Sequence, residues 1–171
     1  NVITISGKGA TEEFYSFSSY DFCKTITKAV VENGVERIGA SLFCYCSSLT
    51  DVVIPESVTS IGSGAFYGCE KISSVSVATL AAWSGISFEN LYSNPMAYGA
   101  SIKVGSSAPT SITVPSNITK ISDYAFYGWK TVTSITISDG AAIIGKYAFA
   151  NCSAATSVQI PITVNTIDAH A

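Results

Sequence analysis

The chain has 171 residues, 47% of them hydrophobic and only 12% charged, which suits one domain with a sizeable core and excludes disorder by composition. A net charge of −3, with nine Lys and Arg residues scattered singly, leaves no basic groove for nucleic acid. No run of about eighteen apolar residues is present, so no membrane insertion is expected of this segment.

Taken in order, the chain opens on an atypical segment, 1–15, that reads as an N-terminal cap: NVITIS (1–6) as a strand and GKG (7–9) as a turn. From 16 to 79 the sequence repeats itself. Ile38 to Ile61, Phe43 to Phe66, Cys46 to Cys69, Leu49 to Ile72, Val52 to Val75 and Ile54 to Val77 are all steps of 23 residues. One step back, Tyr20, Cys23, Ile26, Ala29, Val31 and Val35 fall on the same columns. A period of 23 lies within the leucine-rich-repeat range. Each copy has three parts. DVVIP (51–55) alternates as a half-buried strand, and SVTSIG (57–62) suits a tight extended or 3₁₀ turn. AFYGC (65–69) fits one compact helical turn.

The period then fails once, because Val77 to Val114 is 37 residues. The stretch 80–109 is therefore an irregular insert. LAAWSGI (80–86) reads as a short helix, and SIKV (101–104) with TSITV (110–114) as a hairpin whose second strand rejoins the repeats. Trp83 is expected to plug the break in the core. From 110 to 171 the step of 23 resumes, from Ile121 to Ile144 to Ile167, Phe126 to Phe149, Ile135 to Val158 and Ile137 to Ile160. IDAHA (167–171) offers no complete C-terminal cap. A single unit of this kind cannot bury its own apolar face, so the units must stack. The expected fold is a right-handed leucine-rich-repeat solenoid, mainly β with short helical turns, of about six coils. At a strand spacing of about 4.8 Å it is a rod about 30 Å long.

The columns assign roles. Phe43, Phe66, Phe126 and Phe149 are expected to stack in one file, and Gly39, Gly62 and Gly145 to adopt a backbone angle that other residues resist. Trp129 stands where the column carries Cys, so its coil must make room or expose the ring. Cys23, Cys46, Cys69 and Cys152 share a column and read as reduced core thiols, while Cys44 is the one expected to be exposed. No paired C-x-x-C set is present, so no metal is expected.

Catalytic chemistry finds no support. His170, the single histidine, sits one residue from the last and is expected to be frayed, where no third group could orient it. The carboxylates Asp123 and Asp139, or Glu12 and Glu13, are not placed around a pocket. GSG (62–64) is repeat punctuation rather than a phosphate loop. No cofactor is expected, and the chain reads as a non-enzyme. Surfaces are the better candidates. On the strand face the outward positions Ser74, Ser111, Ser134, Ser157 and Ser76, Thr113, Thr136, Gln159 form a flat, hydroxyl-rich sheet that either keeps the rod soluble or binds protein or glycan. On the turns, Tyr67, Tyr124, Tyr127 and Tyr147 form a row that either packs between coils or binds.

The recurring I-G-x-x-A-F-x-x-C-x-x-L-x-x-V-x-I-P pattern resembles the BspA-like leucine-rich repeats. ITISGKGA (3–10) resembles their N-terminal cap, and 81–104 resembles a recurrent insert. Leu42 at the Ala position, Trp129 at Cys and Ser138 at Pro depart from the pattern. The resemblance implies a secreted or cell-surface bacterial protein, in several cases adhesive, with no catalytic set. The function it implies is adhesion to a protein or glycan of host or neighbouring cells. The alternative is a structural spacer or stalk of a larger surface protein with no ligand of its own.

Overall fold

A computed structural model describes residues 1–11 and 21–171. Tyr20 of the repeat column and the Glu12 and Glu13 pair lie outside the described residues. The elements follow the repeat. They run β1 (Val2–Ile5), β2 (Gly9–Ala10), β3 (Lys28–Val31), β4 (Val35–Ile38), β5 (Asp51–Ile54), β6 (Ser60–Ile61) and β7 (Ser74–Val77). The insert adds helix α1 (Leu80–Ser84), β8 (Ser87–Phe88) and β9 (Ser101–Val104). The last repeats carry β10 (Ser111–Val114), β11 (Lys120–Ile121), β12 (Ser134–Ile137), β13 (Ile143–Ile144), β14 (Ser157–Gln159) and β15 (Thr166–Ile167). Each coil thus lays down a longer strand and a two-residue strand, and like strands pair in parallel. The longer strands form a five-stranded sheet, β1-β3-β5-β7-β9, and a three-stranded sheet, β10-β12-β14. The short ones form β2-β4-β6-β8 and β11-β13-β15. The fold is the expected parallel solenoid. Beyond the coils anticipated, β1 of the cap and β9 of the insert occupy coil positions of their own.

The insert differs from expectation in its second half. Strand β9 does not fold back on β10 as a hairpin; Ser101 pairs with Ser74 and Val104 with Val77 in parallel register. The antiparallel contact is a single bridge, Val104 with Ser107, inside the turn. Strand β10 then opens a second sheet. The first half matches: α1 is the expected helix, capped by the Thr79 hydroxyl, which accepts from the Ala82 amide at 3.1 Å.

Packing explains the opening columns. Phe43 and Phe66 stack at 5.3 Å, and Phe126 and Phe149 at 5.2 Å. The single file expected is cut in two by the insert, where Trp83 packs 5.3 Å from Phe88. Trp83 is fully buried, as the break requires. The coil also makes room for Trp129, which is fully buried and donates from Nε1 to the Thr131 hydroxyl at 2.9 Å.

The AFYGC stretch closes as successive turns rather than a helix. Ala65, Tyr67 and Cys69 amides donate to Gly62, Gly64 and Phe66 carbonyls. Propagation stops because Gly64 and Gly68 take φ of +63° and +75°. Gly62 and Gly145 do not use left-handed angles, contrary to expectation. Their demand is close approach. A Cβ on Gly62 would lie 2.5 Å from the Ala40 amide nitrogen, and one on Gly145 2.7 Å from the Ile121 carbonyl. Ser122 escapes this demand because the coil before it is the insert, where its amide reaches Ser84 instead.

Hydroxyls staple the coils. Thr50, Ser73, Thr133 and Thr156 each donate to the backbone carbonyl of the residue 23 positions earlier, at 2.9 to 3.4 Å. This column accounts for part of the 42 Ser and Thr residues in the chain.

All five cysteines are free thiols. Cys23, Cys46 and Cys69 are fully buried and Cys152 partly so. Cys44, expected to be exposed, is buried at 8% exposure, because its turn folds against the coil. Burial pushes every thiol up, Cys69 to about 12 and Cys152 to about 11.

Two outcomes follow from this packing. Phe66→Ala is expected to cost about 3–5 kcal/mol in chemical denaturation, and Phe149→Ala, at a half-buried position, clearly less. The thiols of the native chain are expected to resist aromatic disulfide reagents, Cys152 reacting first, with all five released on denaturation. The same raised values make the thiol contribution to stability complete below pH 9, the ordinary thiol value, and progressively lost as pH rises towards 11 and 12.

Candidate functional site

The strand face carries the expected rows only in part. In the second sheet Ser111, Ser134 and Ser157 are in register, as are Thr113, Thr136 and Gln159. In the first sheet Ser76 lies beside Lys103 of the insert. Ser74 is buried at 5% exposure, correcting its placement on the solvent face. Its short side chain is flanked by Asp51 on one side and Ser101 on the other. The remaining hydroxyls partly satisfy each other: Ser157 donates to Ser134 at 3.3 Å and Thr136 to Gln159 at 3.4 Å. On this flat face two of the hydroxyls are engaged as donors in this way.

The turn face is different. Each turn contains two left-handed positions. Ser41, Gly64, Tyr124, Tyr147 and His170 hold the first; Tyr45, Gly68, Gly128 and Asn151 hold the second. Glycine fits such angles without cost, whereas other residues lose about 1–2 kcal/mol. Yet Tyr124, Tyr147 and His170 take φ of 62°, 55° and 60°. Their rings stand over one another on successive coils. Tyr124 stacks on Tyr147 at 5.5 Å and 13°, and Tyr147 on His170 at 4.8 Å and 11°. Lys146 adds its ammonium 5.4 Å from the Tyr147 ring centre. Such stacking returns about 0.5–1.5 kcal/mol per pair.

A second row crosses the earlier coils edge to face. Tyr45 meets Tyr67 at 5.2 Å and 82°, and Tyr67 meets Tyr92 at 5.0 Å and 86°. Tyr92 continues to Tyr98 at 6.3 Å. Tyr45 is 51% exposed, Tyr67 and Tyr92 39% each. The polar influence of the neighbouring Tyr67 phenol raises the Tyr45 phenol above its ordinary value. The insert that supplies Tyr92 and Tyr98 is pinned to the coils. Glu89 accepts from Arg37 at 2.8 Å and from the Ser63 amide at 2.8 Å, and the bond from Arg37 holds its carboxyl below the usual range.

The rows converge at Tyr127. One hollow of about 270 Å³ is lined by Leu91, Tyr124, Tyr127 and Tyr147. A second, of about 370 Å³, lies between the insert and the coils that follow it; its lining includes Tyr98, Tyr127, Lys130, Asn151 and Ser153. The Gly68 amide donates to the Tyr98 hydroxyl at 2.8 Å, and Asn151 Nδ2 donates to the Tyr127 hydroxyl at 2.7 Å. Burial raises the Tyr98 phenol.

Of the tyrosines singled out in the sequence, Tyr124, Tyr127 and Tyr147 come together around one hollow; Tyr67 belongs to the other row. Sequence reasoning passed over Tyr45 and Lys130, and took His170 for a frayed end. The step of 23 would have found His170, since it places that residue on Tyr147 and Tyr124. Among the described residues no group of three or more His, Cys, Asp or Glu side chains could hold a metal, and no helix is long and apolar enough to cross a membrane.

The architecture has solved counterparts. A leucine-rich repeat protein from Eubacterium ventriosum is 19% identical with a TM-score of 0.54; the match covers 97% of this chain and 57% of that one. A leucine rich cell surface protein from Faecalibacterium prausnitzii is 18% identical with a TM-score of 0.50, over 97% of this chain and 43% of that one. The chain thus spans about half the length of these solved proteins, and at such identity the likeness is one of fold. Among curated proteins none matches. Residues 9–94 and 105–171 match the family described as BspA type leucine rich repeat region, in six copies, and the chain belongs to that family.

Proposed function

We propose that this chain is a secreted or cell-surface interaction module that adheres to a macromolecule, protein or glycan, of host or neighbouring cells. Its action is binding rather than catalysis. The observation that carries the reading is the turn face: tyrosines and a histidine at left-handed positions where other coils use glycine or serine, stacked into rows that stay partly exposed. Rigid aromatic side chains of this kind supply contact area with little entropy to lose. The strand row Ser76, Ser111, Thr113, Ser134, Thr136, Ser157 and Gln159 is the second candidate surface, weakened by its mutual hydrogen bonds. The surface location rests on the family and on the Faecalibacterium relative, which is described as a cell surface protein.

The test is a pull-down of extracellular host proteins, mucin glycans and bacterial surfaces by the folded chain. Tyr67→Ala/Tyr127→Ala and Ser134→Ala/Thr136→Ala variants run beside it, each checked for folding by circular dichroism. Saturable capture, reduced at least about tenfold by the tyrosine pair and little changed by the strand pair, is the expected result. Capture lost only in the strand pair moves the site to the other face. No capture by any chain contradicts the proposal and favours the spacer.

A further inference from the structure

Resting on that reading, we propose that the hollow between the insert and the coils that follow it is a binding site for a carboxylate-bearing pyranose, a sugar ring with an acidic group. The site arises from the one break in the repeat. Ala97, Tyr98 and Gly99 come from the insert, and Tyr127, Gly128, Lys130, Asn151 and Ser153 from the next two coils. Regular coils stack flush; here the insert meets coils of a different sheet, and a concavity of about 370 Å³ remains. That volume lies within the roughly 300–1,000 Å³ of small-ligand sites.

The lining matches one ligand chemistry. Tyr98 and Tyr127 are half-buried, so each offers part of a ring to the C–H face of a sugar. Both are fixed beforehand: the Gly68 amide holds the Tyr98 hydroxyl, and Asn151 holds the Tyr127 hydroxyl. In these bonds the phenolic oxygens accept, so their O–H groups are left to donate, and Asn151 Oδ1 and the exposed Ser153 hydroxyl are left for sugar hydroxyls. Two glycines keep the floor low. A Cβ on Gly128 would come 3.1 Å from the Met96 carbonyl, and one on Gly99 would come 3.1 Å from Lys130 Nζ. The Lys130 ammonium therefore lies over Gly99 at the edge of the hollow. Among the described residues no carboxylate pairs with it. A lone cation among neutral donors and aromatic rings selects a ligand that carries one anionic group on a hydroxylated, C–H-faced ring. A neutral sugar would leave the cation unused, and an acidic peptide would leave the two aromatic rings without a C–H-faced ring to cover them.

The experiment titrates the whole 171-residue chain with N-acetylneuraminic acid, glucuronic acid and methyl galactoside, following backbone amide shifts by NMR. Saturation by either acid, with shifts centred on 97–99, 127–130 and 151–153, supports the site, and the tighter acid names the source. Methyl galactoside is expected to bind about tenfold more weakly, the difference one charge-assisted hydrogen bond makes. Lys130→Gln is expected to erase the preference for the acids. Asn151→Gly, which suits a φ of 61°, is expected to weaken all three sugars while the fold stays intact. Equal affinity for acidic and neutral sugars, unaltered acid binding in Lys130→Gln, or no saturation by any sugar overturns the proposal. Pull-downs with the same variants separate the two readings. Macromolecular capture without acidic-sugar binding leaves the interaction module standing and removes this site.

Discussion

Every coil of this solenoid is held by the coil beside it, so the molecule depends on an unbroken hand-over of backbone hydrogen bonds and ring stacks. In the regular part the Phe43 amide donates to the Ala65 carbonyl, and the Phe126 amide to Ala148. Ala125 occupies the same column as Ala65 and Ala148, but the coil before it is the insert, which supplies no equivalent phenylalanine amide. The Trp83 indole N–H takes that place, donating to the Ala125 carbonyl at 2.7 Å. Buried Asn94 adds a bond to the Tyr124 carbonyl at 2.6 Å. Two side chains of the insert thus join sheets that share no strand pairing. A buried carbonyl left without a partner costs about 1–3 kcal/mol, so the seam is stable only if these donors are in place.

The seam also shapes the surface. Because the insert approaches the next coil mainly through side chains, with a backbone bond from the Ser122 amide to Ser84, the two backbones do not interlock as regular coils do, and a hollow forms on the turn side. The same insert carries Tyr92 and Tyr98, which extend the earlier aromatic row to that hollow. The later row, from Tyr124 to His170, begins on its far side. Structural repair and candidate recognition therefore come from one 37-residue interval.

Much of this was legible in the sequence, since a repeat writes each contact several times. The step of 23 aligned the strand registers, the buried Phe and Cys columns and the point of interruption. What it could not show was which force a column answers to. Gly62 and Gly64 are two residues apart, yet one is required by a neighbouring backbone and the other by its own dihedral angle. Cys44, two residues before the inward Cys46, read as pointing elsewhere, but within the turn both thiols are buried. Ser74 looked outward-facing, and its strand neighbours cover it. Inside the insert no second copy exists to compare, so the parallel pairing of β9 with β7 read as a hairpin. Lys130 gave no signal at all, because its role depends on residues of the insert.

The most direct test of the seam is amide hydrogen exchange on Trp83→Phe, which keeps a large ring and removes the indole donor. If Trp83 joins the two stacks, exchange in β10 and β12 is expected to accelerate about tenfold or more while β3 and β5 keep their protection. Uniform acceleration along the whole rod, or unchanged protection on both sides of the insert, would contradict the account.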